Sequence, residues 1–402
     1  MINLYYPLRS LKEGHWFKLI CGASFQHLPA IQNLVLAYAL AGADCIDVAA
    51  DAAVVAAARE ALDRAGNLVD AQWQRGDRPW VRPLLMVSLN DGDDPHFRKA
   101  VFDPNTCPSD CPRPCESICP AQAIAFTPAQ SGVIAERCYG CGRCVPICPF
   151  DTISTQFYRF SPTDLLPLVL SGVDAIEIHT QVGRRDAFER LWEAIAPVIP
   201  HLSLVAVSCP AGDGIENYLR SLYAVMQPQP PVVIWQADGR AMSGDIGDGT
   251  THATLRLGQK LLAAELPGYV QLAGGTNGYT VEKLRSLHLL PPFSPTPSDR
   301  ATSKAIAGVA YGSYARTLLS PVLDTLDAIV QERASPSGIP GSEDREAIAP
   351  SQPATPADLE HYPALLNQAM TLIDTLMSPL KGPGGPAQLG KRSSYAAKLS
   401  AR

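Results

Sequence analysis

Eight of the eleven cysteines in this 402-residue chain fall in one segment, in two groups of four that each end in Cys-Pro. The groups are Cys107, Cys111, Cys115 and Cys119, and Cys138, Cys141, Cys144 and Cys148. The second group has the C-x2-C-x2-C-x3-C-P spacing through which bacterial ferredoxins hold iron–sulfur clusters. Zinc sites favour two separated pairs of ligands instead. The pattern predicts two 4Fe-4S clusters held by all eight cysteines.

The first group departs from that spacing, because three residues separate each of its cysteines from the next. Pro108, Pro112 and Pro114 argue against a helix there and remove three backbone donors beside the sulfurs. Fewer N–H···S bonds predict a lower reduction potential for this cluster, and the stretched loop favours a 3Fe-4S form on oxidation. By the ferredoxin crossover, Cys119 would join the second group's first three cysteines, and Cys148 would join the first group.

Short apolar runs alternate with amphipathic stretches elsewhere in the chain, which is typical of βα units on a parallel sheet. The predicted strands are 17–23, 45–50, 84–89, 175–180, 202–209, 232–237, 269–273 and 306–310. The predicted helices are 28–41, 52–65, 162–171, 185–196, 214–226, 254–266, 281–287 and 314–331. Eight repeats predict a (β/α)8 barrel. The alternative is an open doubly wound α/β sheet.

The cysteine segment lies between the third and fourth predicted strands, so it is expected to be an insertion in a βα loop. We expect barrel units at 1–100 and 159–332 and a ferredoxin-like 4Fe-4S insertion at 101–158. Because βα loops gather at the C-terminal mouth of a barrel, the clusters should face that mouth. A separate ferredoxin module between two unrelated α/β halves is the alternative.

The C-terminal region differs in composition from the barrel. Residues 333–356 are rich in Ser, Pro, Gly, Ala and Glu and predict a disordered linker. Residues 357–378 carry apolar side chains near helical spacing, which predicts a helix that docks on the barrel or binds a partner. A mobile tail is expected at 379–402.

Polar residues collect at the predicted strand ends, where a barrel places its active site. They are Asp47, Asp51, Glu177, His179, Gln236, Asp238, Thr276 and Asn277. The segments after the seventh and eighth predicted strands lie where many barrels bind phosphate. The candidate residues for a phosphate or FMN site are Gly274, Gly275, Thr276, Asn277, Gly312 and Ser313. Turns need glycine whether or not a ligand binds. A lone histidine such as His179 is more often a hydrogen-bonded structural residue than a catalyst. Cys21, Cys45 and Cys209 are expected to be small buried hydrophobes, with Cys209 the candidate exception.

The composition excludes some classes of protein. A net charge of −6 offers no basic surface for a nucleic acid. The chain shows neither a signal peptide nor the roughly 18 consecutive apolar residues of a membrane span, so a cytoplasmic protein is expected. A reducing cytosol disfavours disulfides and leaves metal binding as the better explanation for clustered cysteines.

Three stretches resemble one known family: YPLRSLKEGHWFKLICGASFQHLPAI near the N-terminus, LAGADCIDVAAD after it, and the first cysteine group. The family is the light-dependent period family of cyanobacteria, LdpA, and the similarity covers roughly residues 1–330. The resemblance implies an iron–sulfur redox sensor that passes light and metabolic state to the Kai circadian clock and associates with KaiA and the kinase CikA. It also implies that the eight cysteines form the cluster-binding region.

Two main classes of function follow from these patterns, and a simple electron carrier is a third alternative, although carriers rarely need so large a scaffold. A regulator would change its contacts with a partner when the clusters change oxidation state. An FMN-dependent iron–sulfur oxidoreductase would place its active site at the barrel mouth. No nucleophilic triad, P-loop or GxGxxG fingerprint supports other chemistry. The resemblance favours the regulator.

Overall fold

The computed structural model describes residues 6–73, 80–128, 130–240, 246–292, 305–334 and 358–382, without the side chains of 70–73, 331, 333 and 334. Within these residues the strands β1 to β12 are, in order, Trp16–Ile20, Cys45–Ala49, Leu84–Asn90, Arg98–Val101, Ile124–Phe126, Ser131–Val133, Ser154–Phe157, Ala175–His179, Leu204–Pro210, Val233–Asp238, Tyr269–Ala273 and Gly308–Tyr311. The helices α1 to α12 are Arg9–Glu13, Leu28–Leu40, Ala52–Trp73, Pro114–Ile118, Cys144–Ile147, Leu165–Leu170, Arg185–Ile195, Ile215–Val225, Thr251–Ala263, Thr280–Ser286, Ser313–Ala334 and Pro363–Lys381.

Eight of the strands close into a parallel barrel in the order β1-β12-β11-β10-β9-β8-β3-β2. Leu19 of β1 lies opposite Ile46 of β2 on one side and Tyr311 of β12 on the other, so the sheet has no free edge there. The predicted (β/α)8 barrel is confirmed. The open doubly wound sheet is wrong because the first and last barrel strands pair with each other.

Alternation along the strands separates an outer core from the barrel interior. Phe17 and Leu19 point outward and pack against the helices, whereas Trp16 and Lys18 of the same strand point inward. The lower interior is apolar and contains Trp16, Cys45, Met86, Ala175, Leu204 and Ile234. The middle layer is polar and buried, and its members are Lys18, Asp47, Ser88, Glu177, Gln236 and Gln271. Barrel interiors are usually filled by bulky aliphatic side chains, so this layer marks a site.

The cysteine segment is an insertion between β3 and α6 that lies on the barrel mouth. The antiparallel pair β4 and β7 forms its neck, and β5 pairs with β6 inside it. The Gln26 N–H donates to the Glu136 carbonyl at 2.9 Å, and the Phe25 ring meets Tyr139 edge-on with centroids 6.1 Å apart. The insertion is therefore attached to the loop after β1 as well as to its own neck.

The C-terminal helix α12 docks on the barrel, against α2, α11 and β1. Ile373 and Leu376 are buried in this contact, and Lys381 forms an ion pair with Asp44 at 2.5 Å. The helix begins at Pro363 and ends at Lys381, so it starts later than predicted and includes the first residues of the predicted tail. Helix α11 covers 333 and 334, while 335–357 of the predicted linker region and 383–402 of the tail lie outside the described residues. No helix among the described residues is long and apolar enough to cross a membrane.

Candidate metal centre and barrel mouth

Four cysteines surround one small cavity in the insertion, and we call them the inner quartet. They are Cys119, Cys138, Cys141 and Cys144. Burial and then the charges of Cys141, Cys138 and Cys119 raise the pKa of Cys144 to about 12. Gly140 takes φ +75° between two of these cysteines, and a Cβ there would lie 2.5 Å from the Arg98 carbonyl oxygen. The backbone can make this close turn because the residue has no side chain.

The other four cysteines also lie close together, and we call them the outer quartet: Cys107, Cys111, Cys115 and Cys148. Burial and then a hydrogen bond and the charge of Cys111 raise the pKa of Cys107, with a further contribution from Cys148. Burial raises the pKa of Cys115, and the charges of Cys148 and Cys107 raise it further. Each quartet thus combines cysteines of both sequence groups, which is the arrangement that the ferredoxin crossover predicts.

Cys115 lies in the short helix α4, where the sequence argued against a helix. That prediction is wrong because Pro114 occupies the first helical turn. A residue at that position needs no N–H donor, and the fixed φ of proline suits it. The spacing of the first group therefore includes one helical turn rather than a uniformly extended loop.

The side chains of both quartets suit an iron–sulfur cluster, because such a cluster offers metal ions that thiolates coordinate. Four thiolates this close repel one another, so all can ionise together only when cations share their charge. Backbone N–H groups also point at sulfurs: Ala123 donates to Cys119 at 3.2 Å, and Ala100 donates to Cys138 at 3.4 Å. Such bonds stabilise the negative charge of a reduced cluster.

The outer quartet also receives donors, which changes the argument about its potential. Burial would raise the pKa of Cys148, but the Thr152 hydroxyl at 3.4 Å and the backbone N–H groups of Phe150, Thr152 and Ile153 lower it overall. The Arg113 N–H donates to Cys111 at 3.4 Å. Residues after the second cysteine group thus partly replace the N–H donors that the prolines remove from the first group. The lower reduction potential of the outer cluster stays a prediction.

A cavity at the barrel mouth holds about 660 Å³ of space, part of it open to solvent. Gly274, Gly275, Thr276, Gly312 and Ser313, five of the six predicted phosphate or FMN residues, line it. Asn277 does not: its side-chain amide donates to the Gly247 carbonyl at 3.0 Å, and its side-chain oxygen accepts from the Tyr279 N–H at 3.0 Å. Asn277 therefore organises its own loop.

The glycines of this loop have a structural explanation. Gly274 takes φ +61°, and a Cβ there would lie 1.7 Å from Asp238 Oδ1. Gly275 takes φ +93°, and a Cβ there would lie too close to Arg240 and Thr250. The Thr276 hydroxyl donates to the Ala310 carbonyl at 2.6 Å. These contacts account for the residue types without a ligand, so phosphate or FMN binding here stays a prediction.

A buried charge network forms the floor of the mouth cavity. Lys18 is fully buried and forms ion pairs with Glu177 and, at 3.2 Å, with Asp47. Burial alone would lower the pKa of Lys18, but the two carboxylates raise it overall, so the ammonium keeps its charge. Burial likewise opposes ionisation of Glu177, yet Lys18 and His179 hold the pKa of Glu177 low, whereas burial raises the pKa of Asp47. Of these two carboxylates, Glu177 is the more firmly ionised.

Two histidines and an aspartate lie above this floor. His179 Nε2 lies 3.0 Å from Glu177 Oε1, and His96 Nδ1 lies 2.8 Å from Asp94 Oδ1. Burial would lower the pKa of His179, but Glu177 and Asp94 raise it to about 9. His179 is thus hydrogen-bonded, as a structural histidine was expected to be, and it belongs to a larger group of charged side chains at the mouth.

Tyr139 connects the insertion to the barrel mouth. It follows Cys138 of the inner quartet and also lines the mouth cavity. The Arg316 guanidinium lies 4.3 Å from the centroid of the Tyr139 ring. Arg316 also donates to the carbonyls of Ile20 and Cys21, at 3.0 and 2.9 Å, so one side chain joins Tyr139, the residue after Cys138, to the end of β1.

The remaining candidates have structural roles. Asp51 caps α3 by accepting the N–H groups of Ala53 and Val54 at 2.9 and 3.1 Å. Cys21, Cys45 and Cys209 are buried, as predicted, and Cys209 is no exception.

Several functional candidates were missed from the sequence: Lys18, Asp94, His96, Tyr139 and Arg316. Lys18 had a detectable signal, since it is the charged residue of an otherwise apolar strand. Tyr139 had a weaker one, because it lies within a cysteine motif. Nothing local distinguishes Asp94, His96 or Arg316 from ordinary surface residues.

A (β/α)8 barrel with a cysteine-rich insertion across its mouth defines a barrel protein of the iron–sulfur class. Residues 107–159 match the family model described as the LdpA Fe-S cluster-binding domain. Residues 168–379 match the Light dependent period A C-terminal domain. The chain is 47% identical over 383 residues to Light dependent period A of Synechococcus elongatus, covering 95% of this chain and 96% of that protein. The chain belongs to the light dependent period A family, and the likeness extends through the C-terminal helix, beyond the residues from which it was first inferred.

Two solved structures resemble the chain only distantly. A truncated form of 3-deoxy-D-arabino-heptulosonate 7-phosphate synthase from Thermotoga maritima is 11% identical, with a TM-score of 0.37, and the match covers 90% of this chain and 88% of that one. A putative phosphonomutase from Burkholderia cenocepacia J2315 is 17% identical, with a TM-score of 0.27 over 42% of this chain and 76% of that one. Neither likeness bears on the function of this chain.

Proposed function

We propose that this chain is an iron–sulfur redox-sensing regulator that passes cellular light and redox state to the circadian clock. Membership of the light dependent period family supports the clock role, and the family match of 107–159 supports an iron–sulfur cluster. In the proposal the inner and outer quartets each hold one cluster. Both are of the 4Fe-4S type, and the outer one is prone to a 3Fe-4S form on oxidation.

The contact between Tyr139 and Arg316 is the observation that supports sensing best. A one-electron change in the charge of a cluster held by the inner quartet would change the electrostatic potential at Tyr139, because Tyr139 directly follows Cys138 in the chain. Arg316 lies over that ring and holds the carbonyls of Ile20 and Cys21. Tyr139 and Arg316 are both largely buried, and electrostatic interactions are stronger in a protein interior than in bulk water. The loops after β1 and β12 would therefore respond to the redox state.

The proposed partners are KaiA and CikA, which the family resemblance implies. Binding of each would be measured with anaerobic protein whose clusters are either oxidised or reduced. We expect the two affinities to differ at least about fivefold, the lower end of typical allosteric coupling. Equal affinities in both states, or no binding to either partner, would overturn the sensor proposal.

A substitution of Tyr139 tests whether the redox state of the inner quartet is transmitted through this side chain. Tyr139→Leu removes the ring beneath Arg316 and should reduce the redox dependence of partner binding while iron and sulfide contents stay unchanged. Tyr279→Leu is the matched control, because Tyr279 is 57% exposed and lies on the loop before α10. Loss of iron from the Tyr139 variant would instead assign this residue to cluster binding.

An FMN-dependent oxidoreductase is the second candidate, and the mouth cavity favours it. The inner quartet and five of the predicted FMN residues border cavities that share Tyr139. Anaerobic purification with iron, sulfide and flavin counted together separates the two proposals. One flavin per chain would favour the oxidoreductase, whereas clusters without flavin after reconstitution would favour the regulator.

A further inference from the structure

A cluster of side chains at the barrel mouth, distinct from the cysteines, has the composition of a metal site. Asp94, His96 and His179 each offer one ligand atom, and these three atoms lie within 4.8 Å of one another. Asp94 and His179 are buried, and His96 is partly exposed. The three residues come from the start of the insertion and the end of β8, so chain folding brings them together.

We propose that Asp94, His96 and His179 bind one divalent first-row transition metal ion, through Asp94 Oδ1 and the Nδ1 atoms of the two imidazoles. Asp94 Oδ1 lies 2.8 Å from His96 Nδ1 and 3.7 Å from His179 Nδ1. Zinc ligands at about 2.0–2.2 Å from the ion lie roughly 3–3.5 Å from one another. The two spacings bracket that range, so small side-chain movements suffice.

The groups around the two imidazoles support metal binding. Histidine ligands usually donate their second ring N–H to a carboxylate, which fixes the tautomer and raises ligand basicity. His179 Nε2 lies 3.0 Å from Glu177 Oε1, and His96 Nε2 lies 4.0 Å from Asp238 Oδ2. On the side away from Asp94, His179 thus has a carboxylate at hydrogen-bond distance, whereas His96 has one at ion-pair distance. Glu177 is itself held by Lys18 and by the Gln236 amide at 2.7 Å.

Two imidazoles and one carboxylate determine the kind of ion. Imidazole suits zinc, iron, copper and nickel, whereas magnesium and calcium prefer all-oxygen sites. Three protein ligands leave coordination positions open, as in catalytic metal sites. His96 and His179 line the mouth cavity, so the open positions would face it and accept an oxygen ligand, such as water or a carboxylate.

The test uses the full chain with its clusters reconstituted under anaerobic conditions. Mn²⁺ is titrated into the protein, and the loss of the free-ion EPR signal at room temperature reports binding. We expect one Mn²⁺ per chain, displaced by lower concentrations of Zn²⁺ because zinc binds such ligands more tightly. If neither ion binds to the wild-type chain, the proposal is wrong.

Variants distinguish this site from metal bound elsewhere, including at cysteines. His96→Gln and Asp94→Asn should each weaken binding of both ions at least about tenfold, the smallest loss expected even for an outer-shell change. Asparagine can still cap the turn before His96. His201→Gln is the control, since His201 is exposed and precedes β9, and it should bind as the wild type does. Iron and sulfide are counted in every variant. Wild-type affinity in His96→Gln would overturn the assignment, whether or not the Asp94 variant folds.

Discussion

Replacement of Lys18 by methionine tests the charge network beneath the mouth cavity. Methionine has nearly the same length as lysine but carries no charge, so Glu177 and Asp47 lose their cation. In the wild type, Lys18 Nζ lies 3.2 Å from Asp47 Oδ2. Lys18 and both carboxylates are at most 1% exposed, so water cannot take over the role of the ammonium. Glu177 would keep its bonds from Gln236 and His179 but lose its closest positive charge.

Breaking a buried ion pair on one side typically costs about 3–5 kcal/mol, because an uncompensated charge remains. We expect a loss of that size in the free energy of unfolding of Lys18→Met near pH 8. Without the cation, the pKa of Glu177 in the folded variant rises above its unfolded value, and the pKa of Asp47, which burial already raises in the wild type, rises further. The folded variant then binds more protons than the unfolded chain, so its stability deficit shrinks as the pH falls toward 5.

The assay is denaturant unfolding at both pH values, followed by circular dichroism and by cluster absorption. Lys283→Met is the control, because Lys283 is exposed on α10, and it should change stability by less than about 0.5 kcal/mol. Lys18→Met combined with Glu177→Gln should recover part of the loss, because it removes one of the two stranded charges. A deficit below about 1 kcal/mol, or one independent of pH, would refute the buried network.

Three further predictions concern the clusters, the mouth and the C-terminal helix. Cys148→Ser should deplete the cluster held with the first cysteine group and preserve the low-temperature EPR signal of the inner one; loss of the inner signal instead would contradict the crossover. Gly274→Ala should lower the thermal midpoint, since the strained φ and the collision with Asp238 cost more than about 1 kcal/mol, whereas Gly249→Ala, with open space around it, should leave the midpoint unchanged. Leu376→Ala should cost about 2–5 kcal/mol in denaturant unfolding, against less than about 0.5 kcal/mol for the exposed Thr375→Ala, and equal effects would mean that α12 is not docked.

The barrel strands were predictable because each is defined by a local pattern. Cys45–Ala49 and Tyr269–Ala273 are short apolar runs bounded by turns, and nearby residues alone determine such segments. The one-turn helix at Pro114 was missed for a local reason as well. Proline disfavours the helix interior but suits the first turn, and the sequence does not say which position it occupies.

The sequence by itself determined the chemistry of the insertion. Thiolates at ferredoxin spacing can reach one cluster from a short loop, so Cys138, Cys141 and Cys144 identify their site without tertiary information. Tertiary structure alone decided the composition of the mouth. Lys18 meets Glu177, 159 residues away, because both point into the closed barrel. Arg316 meets Tyr139 because the insertion folds back over β1 and β12. Such pairs have no local signature, since their energy arises from burial and charge that exist only once the barrel has closed.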